Sequence, residues 1–341
     1  MKALPAQFMA EKVYVIGSNS FTGATFVDYL LSLGCEVMGC SRSAEPAAAF
    51  LPYKWSRPSP APGRFHFDQL DLNHDTERIA RAIGDFQPSW VVNFASQSMV
   101  AESWLYPDQW YETNVVANVR LHEKLRQFPF LQKYVHISTP EVYGSCTGNV
   151  TESAPLNPST PYAASRAACD LHLMTFFKNY RFPVVWTRAA NVYGPGQQLY
   201  RIVPRTVFFV KTGRMLQLHG GGRSVRSFIH ARDVAEATWR AARQSPPGEA
   251  WHFSTDLYIS IRDLVERICR RMGADFSQVV QIVGDRPGKD AAYLLDSTKA
   301  RTVLGWKDQV TLDQGIGETI AWVEKNLEEL KKQPCDYIHK P

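Results

Sequence analysis

The sequence predicts an α/β fold: a doubly wound parallel sheet carrying a second, smaller mixed α/β lobe. Three observations lead there. Short β-branched and aromatic runs recur along the first half of the chain, each followed by a stretch with helical spacing. A glycine-bearing turn, Gly17-Ser-Asn-Ser-Phe-Thr-Gly23, stands between the first such run and the first helical stretch. After Asn191 the rhythm gives way to Gly/Pro-rich turns and shorter elements. With 341 residues the chain is long for a single core, so a large domain with a satellite, or two domains, is expected.

Taken in order, Val13-Tyr14-Val15-Ile16 is the first predicted strand and Phe26 to Leu33 the helix that crosses back. Val91-Val92-Asn93-Phe94 and the helical stretch from Val115 to Leu125 repeat the unit. Tyr134-Val135-His136-Ile137 and Val184-Val185-Trp186 add two buried strands, separated by a long helix from Tyr162 to Asn179. Near-continuous apolar strands joined by helical crossovers require a sheet covered on both faces. The run WSRPSPAPG from Trp55 to Gly63 holds three prolines and one glycine in nine residues, which predicts a loop. The expected division places 11–190 and 234–256 in a nucleotide-binding domain, and 191–233 and 257–330 in a substrate domain. No internal repeat is evident.

Composition narrows the function. With 45% hydrophobic and 21% charged residues, and no apolar run near the roughly 20 residues that span a bilayer, the chain reads as a soluble globular protein without a membrane segment. The opening MKALPAQFMA lacks a sustained apolar block and a small-residue cleavage pattern, so it reads as a short disordered lead-in and not a secretory signal. Six cysteines lie far apart, with no C-x-x-C pair and no Cys/His cluster at ligand spacing, which predicts reduced thiols in a cytoplasm and no metal site. A net charge of +5 without Lys/Arg blocks excludes a nucleic-acid arm or membrane patch and suits a small anionic ligand.

The glycine turn follows an apolar strand and opens a helix, the context in which such a turn binds a dinucleotide. Gly17 and Gly23 allow a tight turn and close phosphate approach, while free amides at the helix start attract the pyrophosphate. Ser20 occupies a place where a further glycine is usual. These features make the sheet one of Rossmann type. The second predicted strand ends Val37-Met38-Gly39-Cys40-Ser41-Arg42-Ser43, without the carboxylate that would bond a ribose 2′-hydroxyl. Ser41 and Arg42 suit a 2′-phosphate instead, so NADP is favoured over NAD; the competing reading of Arg42 is a solvated loop charge. Asp71 and Leu72 are candidates for the adenine, with a helix cap as the competing role of Asp71.

Tyr162-Ala-Ala-Ser-Arg166 opens the long helix, and its i,i+4 spacing puts phenol and guanidinium on one face. A fixed cation one turn away is expected to stabilise the phenolate and lower its pKa, making Tyr162 a base for a sugar hydroxyl as hydride leaves the same carbon. Ser138-Thr139-Pro140-Glu141 ends the preceding strand, with Ser138 a secondary candidate only.

From Lys12 to Trp322 the chain resembles the extended short-chain dehydrogenase/reductase family, and within it the sugar-nucleotide 4,6-dehydratases of the GDP-mannose 4,6-dehydratase type. The landmarks are GSNSFTG at Gly17 to Gly23, NFASQS at Asn93 to Ser98, Asn114, STPEVYG at Ser138 to Gly144 and PYAAS at Pro161 to Ser165. RAANVYGPGQ at Arg188 to Gln197, RSFIHARDVA at Arg226 to Ala235 and DRPGKD at Asp285 to Asp290 complete them. The resemblance implies that Tyr162, Thr139, Glu141 and Arg166 are catalytic. Thr139 would hydrogen-bond the C4 oxygen and Glu141 would remove the C5 proton before water is lost from C5 and C6. It further implies that Phe21, Thr22, Phe94, Ala95 and Ser96 line the cofactor. Gln97, Ser98, Asn191, Val203, Arg205, Arg226 and Arg286 would contact the nucleoside-diphosphate sugar, and the chain would pair as a homodimer or higher homo-oligomer through the helices after Val100 and around Tyr162.

Two positions depart from the family pattern. Arg166 stands where lysine is usual and, with a pKa above about 12, supplies charge but no proton relay. Pro140 replaces an aspartate that some relatives use as general acid. A 4-epimerase or other C4 oxidoreductase shares the first hydride step, and a catalytically silent dinucleotide-binding module is the non-enzyme alternative.

Overall fold

The switch in strand order that creates a ligand crevice falls between the first and fourth strands of the large sheet. The computed structural model describes residues 10–55, 64–146, 148–284 and 294–340. Its first half holds β1 (Lys12–Ile16), α1 (Phe21–Ser32), β2 (Glu36–Ser41), β3 (Phe65–Gln69), α2 (Thr76–Phe86) and β4 (Trp90–Asn93). Then come α3 (Pro107–Tyr111), a π-helical turn (Glu112–Val116), α4 (Ala117–Leu125), β5 (Lys133–Ile137), β6 (Asn149–Val150), α5 (Pro161–Tyr180) and β7 (Val184–Ala189). These are followed by β8 (Asn191–Tyr193), α6 (Ile202–Thr212), β9 (Leu216–His219), β10 (Val225–His230), α7 (Ala231–Gln244), β11 (Ala250–Phe253) and β12 (Tyr258–Ser260). The chain continues through α8 (Ile261–Arg271), α9 (Phe276–Val279), β13 (Val280–Val283), β14 (Leu294–Leu295), α10 (Thr298–Val303), α11 (Leu312–Lys325) and α12 (Leu327–Leu330).

Seven strands form one sheet in the order β11-β7-β5-β4-β1-β2-β3, every pairing parallel. From β1 the chain moves outward to β2 and β3, then returns to β4 on the other side. Ile16 therefore pairs with Asn93 where the connections diverge, and ligands of such sheets bind beyond the strand ends at this point. Alternation along β1 divides the core: Val13 and Val15 join Phe26 and Trp239 on the face covered by α1 and α7, while Tyr14 and Ile16 join Leu121 and Leu173 on the face covered by α4 and α5.

The second lobe has its own apolar cluster, in which Val203, Phe208, Leu264, Ile268, Ile316 and Val323 interlock α6, α8 and α11. Its strands form a β12-β10-β8 sheet, with β8 parallel and β12 antiparallel to β10, and a β13-β9 pair. The α/β reading and its sheet of Rossmann type are borne out. The first helix begins five residues before the expected Phe26, because Ser20 caps it. The run preceding α4 is helical from Pro107, but with a π-turn that periodicity did not signal. Of the expected proline-rich loop, residues 56–63 lie outside the described residues. Among the described residues no helix is long and apolar enough to cross a membrane.

Candidate active site

The turn between β1 and α1 is shaped by contacts that only glycine permits. Gly17 has φ +79°, and a Cβ there would lie 2.7 Å from the Ala95 amide nitrogen. A Cβ on Gly23 would lie 2.1 Å from the Gly17 carbonyl oxygen. Ser20 explains its place in the turn: its hydroxyl donates to the Gly17 carbonyl at 2.7 Å and accepts from the Gly23 amide at 3.2 Å. The Phe21 and Thr22 amides, in the first turn, have no intrahelical acceptor and carry the positive end of the helix dipole. Ser20, Phe21 and Thr22 line a cavity of about 710 Å³ together with Phe94, Ser96 and Ser98.

Across that cavity stand the candidate catalytic groups. Thr160 caps α5 by accepting from the Ala163 amide at 3.1 Å, and Pro161 opens the helix, so Tyr162 and Arg166 emerge one turn apart at its start. Thr139 is extended and caps a 3₁₀ turn over Pro140–Tyr143; its hydroxyl donates to the Glu141 carboxylate. Thr139, Glu141, Tyr162 and Arg166 all line the cavity.

Arg166 is 2% exposed. Its Nη2 donates to the Ile137 carbonyl and lies 3.3 Å from Nε2 of His136. Nε and Nη1 are buried with no partner among the described residues. Arg166 lines the same cavity as the dinucleotide turn, and two buried, unpaired donors on it fit the ribose hydroxyls of a dinucleotide. The group itself would supply a hydride acceptor and, once reduced, a donor.

The expected net lowering of the Tyr162 pKa is corrected. Burial pushes the phenol up, the neighbouring Glu141 charge adds to it, and the opposing pull of Arg166 and the Thr139 hydroxyl leaves it at about 12. The cation acts in the expected direction; desolvation outweighs it.

Behind these groups lies a buried polar network that sequence reading missed. Ser138 Oγ donates to Asp170 Oδ2 at 2.7 Å, and Arg188 Nη2 donates to the same oxygen at 2.8 Å. Arg188 Nη1 donates to the Tyr143 hydroxyl at 2.6 Å, which in turn lies 2.7 Å from Nε2 of His252. Asp170 sits one turn beyond Arg166, a spacing visible in the sequence, but nothing there told that both were buried. On the neighbouring side, Asn114 in the π-turn bonds the Gln97 amide (2.9 Å), the Gln97 carbonyl (3.0 Å) and the Ser165 hydroxyl (2.9 Å). That one side chain ties the segment after β4 to the helix that carries Tyr162 and Arg166.

The expectation of no Cys/His cluster also needs correction. His122, His136 and Cys169 bring potential ligand atoms within 4.8 Å of one another in the core. Burial holds both imidazoles well below and the thiol above their ordinary pKa values, so all three are neutral, and His122 is engaged by the Tyr134 hydroxyl at 3.0 Å. Linear spacing could not show this convergence, because the three residues come from α4, β5 and α5.

The remaining expected residues divide. Asn191, Val203, Arg205 and Arg226 line the cavity, as do Arg201 and His219, which sequence reading did not single out. Gln97 is 3% exposed and is not part of the lining; its side-chain amide donates to the Lys340 carbonyl at 2.8 Å. Ala95 is fixed by the Asn93 side chain, which accepts from its amide at 2.9 Å. At the end of β2 the Ser41 hydroxyl accepts from the Asn19 amide at 3.2 Å, and Arg42 donates to the Lys340 carbonyl at 3.2 Å. Asp71 accepts from the Asn73 amide at 2.9 Å, a turn-capping role, and the neighbouring Leu72 is 4% exposed. Arg286 lies outside the described residues.

Comparison with known proteins matches this architecture. The profile of a family described as GDP-mannose 4,6 dehydratase covers residues 14–319. A probable dTDP-glucose 4,6-dehydratase of Sinorhizobium fredii is 31% identical over 333 residues, which span 92% of this chain and 93% of that protein. Among solved structures, the dTDP-glucose 4,6-dehydratase DesIV of Streptomyces venezuelae, with NAD bound, superposes with a TM-score of 0.83 at 32% identity, covering 93% of this chain and 98% of that one. A Thermus thermophilus UDP-glucose 4-epimerase in complex with NAD gives a TM-score of 0.81 at 27% identity, covering 92% and 99%. The shared fold thus spans two C4 chemistries, and it is the matched profile together with the dehydratase relatives that places the chain in the GDP-mannose 4,6-dehydratase family.

Proposed function

We propose that the chain converts a nucleoside-diphosphate hexose to its 4-keto-6-deoxy derivative, with oxidation at C4, loss of water across C5 and C6, and reduction at C6. The observation that carries this is the meeting of Tyr162, Thr139 and Glu141 in one cavity with the dinucleotide turn. A dinucleotide held by the Gly17–Gly23 turn and by Arg166 would supply the hydride acceptor for C4 and, once reduced, the donor for C6. Tyr162 accepts the C4 hydroxyl proton while Thr139 hydrogen-bonds that oxygen. The resulting 4-ketone acidifies the C5 hydrogen, which Glu141 removes. Pro140 has no proton to give, so Glu141, now protonated, is the group placed to hand its proton to the departing C6 hydroxyl, and a solvent proton replaces it at C5 as hydride reaches C6. Arg166 keeps a fixed positive charge beneath the phenol and orients the ribose through its two unpaired nitrogens. Asn191, Arg205 and Arg226 hold the nucleoside diphosphate, Arg through charge-assisted bonds to phosphate. Glu141 separates this reading from a 4-epimerase, which needs no acid at that place.

NADP is the dinucleotide this site suits best. Ser41-Arg42-Ser43 offers a guanidinium and hydroxyls without a carboxylate, the combination that accepts a 2′-phosphate. The solved relatives just described hold NAD, so competitive binding of the two dinucleotides is the decisive comparison. The chain pairs as a homodimer through α3, the π-turn, α4 and α5. Leu105 (70% exposed), Tyr111, Val116, Leu171 and Tyr180 present the exposed apolar surface this requires. All six cysteines are free, in keeping with a reducing cytoplasm.

Mass spectrometry of products from GDP-, dTDP-, UDP- and CDP-hexoses tests the central claim. Loss of one water from at least one substrate, with no net consumption of dinucleotide, is expected. An epimer of unchanged mass from every substrate that reacts would replace the dehydratase reading with the epimerase one.

A further inference from the structure

Three residues that the sequence reading assigned to ligands are engaged by one segment of the chain itself. After α12 the backbone leaves the second lobe and crosses to the first. Arg205 meets the start of this segment, Nη1 donating to the Cys335 carbonyl at 2.7 Å and Nη2 pairing with Asp336 at 3.0 Å. Gln97 and Arg42 meet its far end, where the Lys340 carbonyl accepts from Gln97 at 2.8 Å and from Arg42 at 3.2 Å. Between these points Tyr337 packs against Tyr200, ring centroids 5.4 Å apart. The His339 ring stacks on Tyr106 (5.1 Å, 2° between planes) and on the fully buried Trp110 (5.2 Å, 13°), and its Nε2 lies 2.6 Å from Gln109 Oε1. Two ring contacts and a hydrogen bond make His339 the anchor of the segment.

The course of the segment crosses the crevice. In the sheet β1 lies between β4 and β2, Gln97 follows β4 and Arg42 follows β2. One carbonyl reached from both flanks lies across the carboxyl end of β1, where ligands enter a doubly wound sheet. Lys340 Nζ donates to the Ser43 hydroxyl at 3.0 Å, and Asn19, inside the phosphate turn, donates to the Ser43 carbonyl at 2.8 Å, so the segment abuts the loop bound to that turn. The open cavity reaches Ser20, Phe21 and Thr22, yet none of Ser41, Arg42, Asp71 and Leu72 borders it. Its volume of about 710 Å³ is that of a pocket for one ligand, whereas oxidation at C4 brings a dinucleotide and a sugar nucleotide together.

We propose that residues 335–340 are an autoinhibitory strap: docked in this way they cover the strand ends and hold Arg205, and dinucleotide and sugar nucleotide bind in competition with them. The inference rests on the proposed function, which gives Arg205 the diphosphate and the crevice the dinucleotide. The hold is uneven along the segment. Asp336 is 85% exposed, and an exposed ion pair is weak, so a diphosphate offering Arg205 bidentate, charge-assisted bonds displaces that carboxylate. The His339 stack is the contact that no ligand group replaces, and it sets how much of the free protein is closed. Ligand affinity then scales with the fraction of free protein whose strap is undocked. The first ligand to lift the strap spares the second that cost, so the two ligands bind with positive cooperativity.

The test compares the whole chain with a chain ended after Pro334 and with His339→Ala in the whole chain, thermal melts confirming folding. Calorimetry measures NAD, NADP, GDP, dTDP, UDP and CDP, each alone and each dinucleotide in the presence of the diphosphate that binds. Ending the chain after Pro334 should tighten dinucleotide and diphosphate binding by about tenfold and abolish their mutual enhancement, as when the open form is a tenth of the free protein. His339→Ala should do most of the same, and it carries the test should the shortened chain fail to fold. Hydrogen exchange of amides 335–340 in the whole chain should rise when dinucleotide binds. Unchanged or weaker binding in the variants, or exchange that falls on binding, would show a segment that packs or closes over its ligands, and overturns the strap. Product analysis separates this from the reading beneath it. Water loss from a nucleotide hexose with affinities unmoved removes the strap and leaves the dehydratase; tighter binding in both variants with no water loss from any hexose leaves the strap and removes the dehydratase.

Discussion

Nε2 of His136 lies 3.3 Å from Nη2 of Arg166, so the guanidinium is held against β5 by a neutral imidazole and the Ile137 carbonyl. An arginine can occupy this place because burial keeps His136 uncharged and able to accept. Replacing Arg166 by Met should lower kcat by about a hundredfold or more, because the phenolate loses the cation one turn away, the stronger of the two, with Arg201, that favour it. Arg166→Lys should retain more activity than Met while raising the KM for dinucleotide. His136→Phe should raise that KM as well, and combining it with Arg166→Lys should cost less than the two single effects added. Steady-state kinetics of the four proteins checks the cycle.

Glu141→Gln removes the proposed base while keeping an acceptor for the Thr139 hydroxyl. Dinucleotide affinity should be unchanged, C4 oxidation should persist, and exchange of the C5 hydrogen with solvent should fall by about 10² to 10⁴. Proton NMR in deuterated water reads the exchange directly, and an undiminished rate would assign the base elsewhere.

Tyr162→Phe should stop the first half-reaction, so that no transient absorbance of reduced dinucleotide forms on mixing with substrate. The phenol's pKa is raised to about 12, so at neutral pH the free protein holds it protonated. Its deprotonated fraction grows with pH, and kcat/KM should climb between about pH 7 and 9. Arg166→Met should displace that rising limb further toward alkaline pH.

Acid stability follows from two buried histidines. Burial, with the Arg232 and Arg188 charges respectively, lowers His230 and His252 to about 3. Below about pH 6.5 the unfolded chain binds protons that the folded chain refuses, so stability falls as pH drops from there toward 3. Each contributes a slope of about 1.4 kcal/mol per pH unit at most. Urea titrations at pH 7 and pH 5 should show the loss, and His252→Gln should reduce the difference.

Gly17→Ala tests the phosphate turn. The added methyl would meet the Ala95 amide nitrogen at 2.7 Å on a backbone with φ +79°, so a shift is unavoidable. Stability should drop by about 1 to 3 kcal/mol and dinucleotide binding should weaken severely, measurable by calorimetry.

Particular residues show what the sequence could reveal. The alternation of Val13-Tyr14-Val15-Ile16 between two apolar layers was readable as a strand, and the turn after it was readable because strand, glycines and helix follow one another without a gap. Tyr162 and Arg166 were legible as a pair through helical spacing alone. The sign of the Tyr162 shift was not, because it is decided by burial, which no local pattern encodes. The Arg188–Asp170–Ser138 network and the docking of His339 on Trp110 depend on contacts between distant segments, and polar residues among apolar ones read like any loop or surface position until the fold closes over them. The mirror case is Gln97, read from resemblance as a substrate contact and placed by the fold beneath the strand end.

The wide turn at Glu112–Val116 sets a constraint on chain length that its distance from the cavity conceals. Were one residue removed there, ordinary helical geometry would return and Asn114 would swing through about 100° around the axis. Gln97 and Ser165 would then lose their common tether, and the spacing between dinucleotide wall and catalytic helix would slacken. Single-residue deletions across 112–116 should therefore be as damaging as changes to the reacting groups themselves.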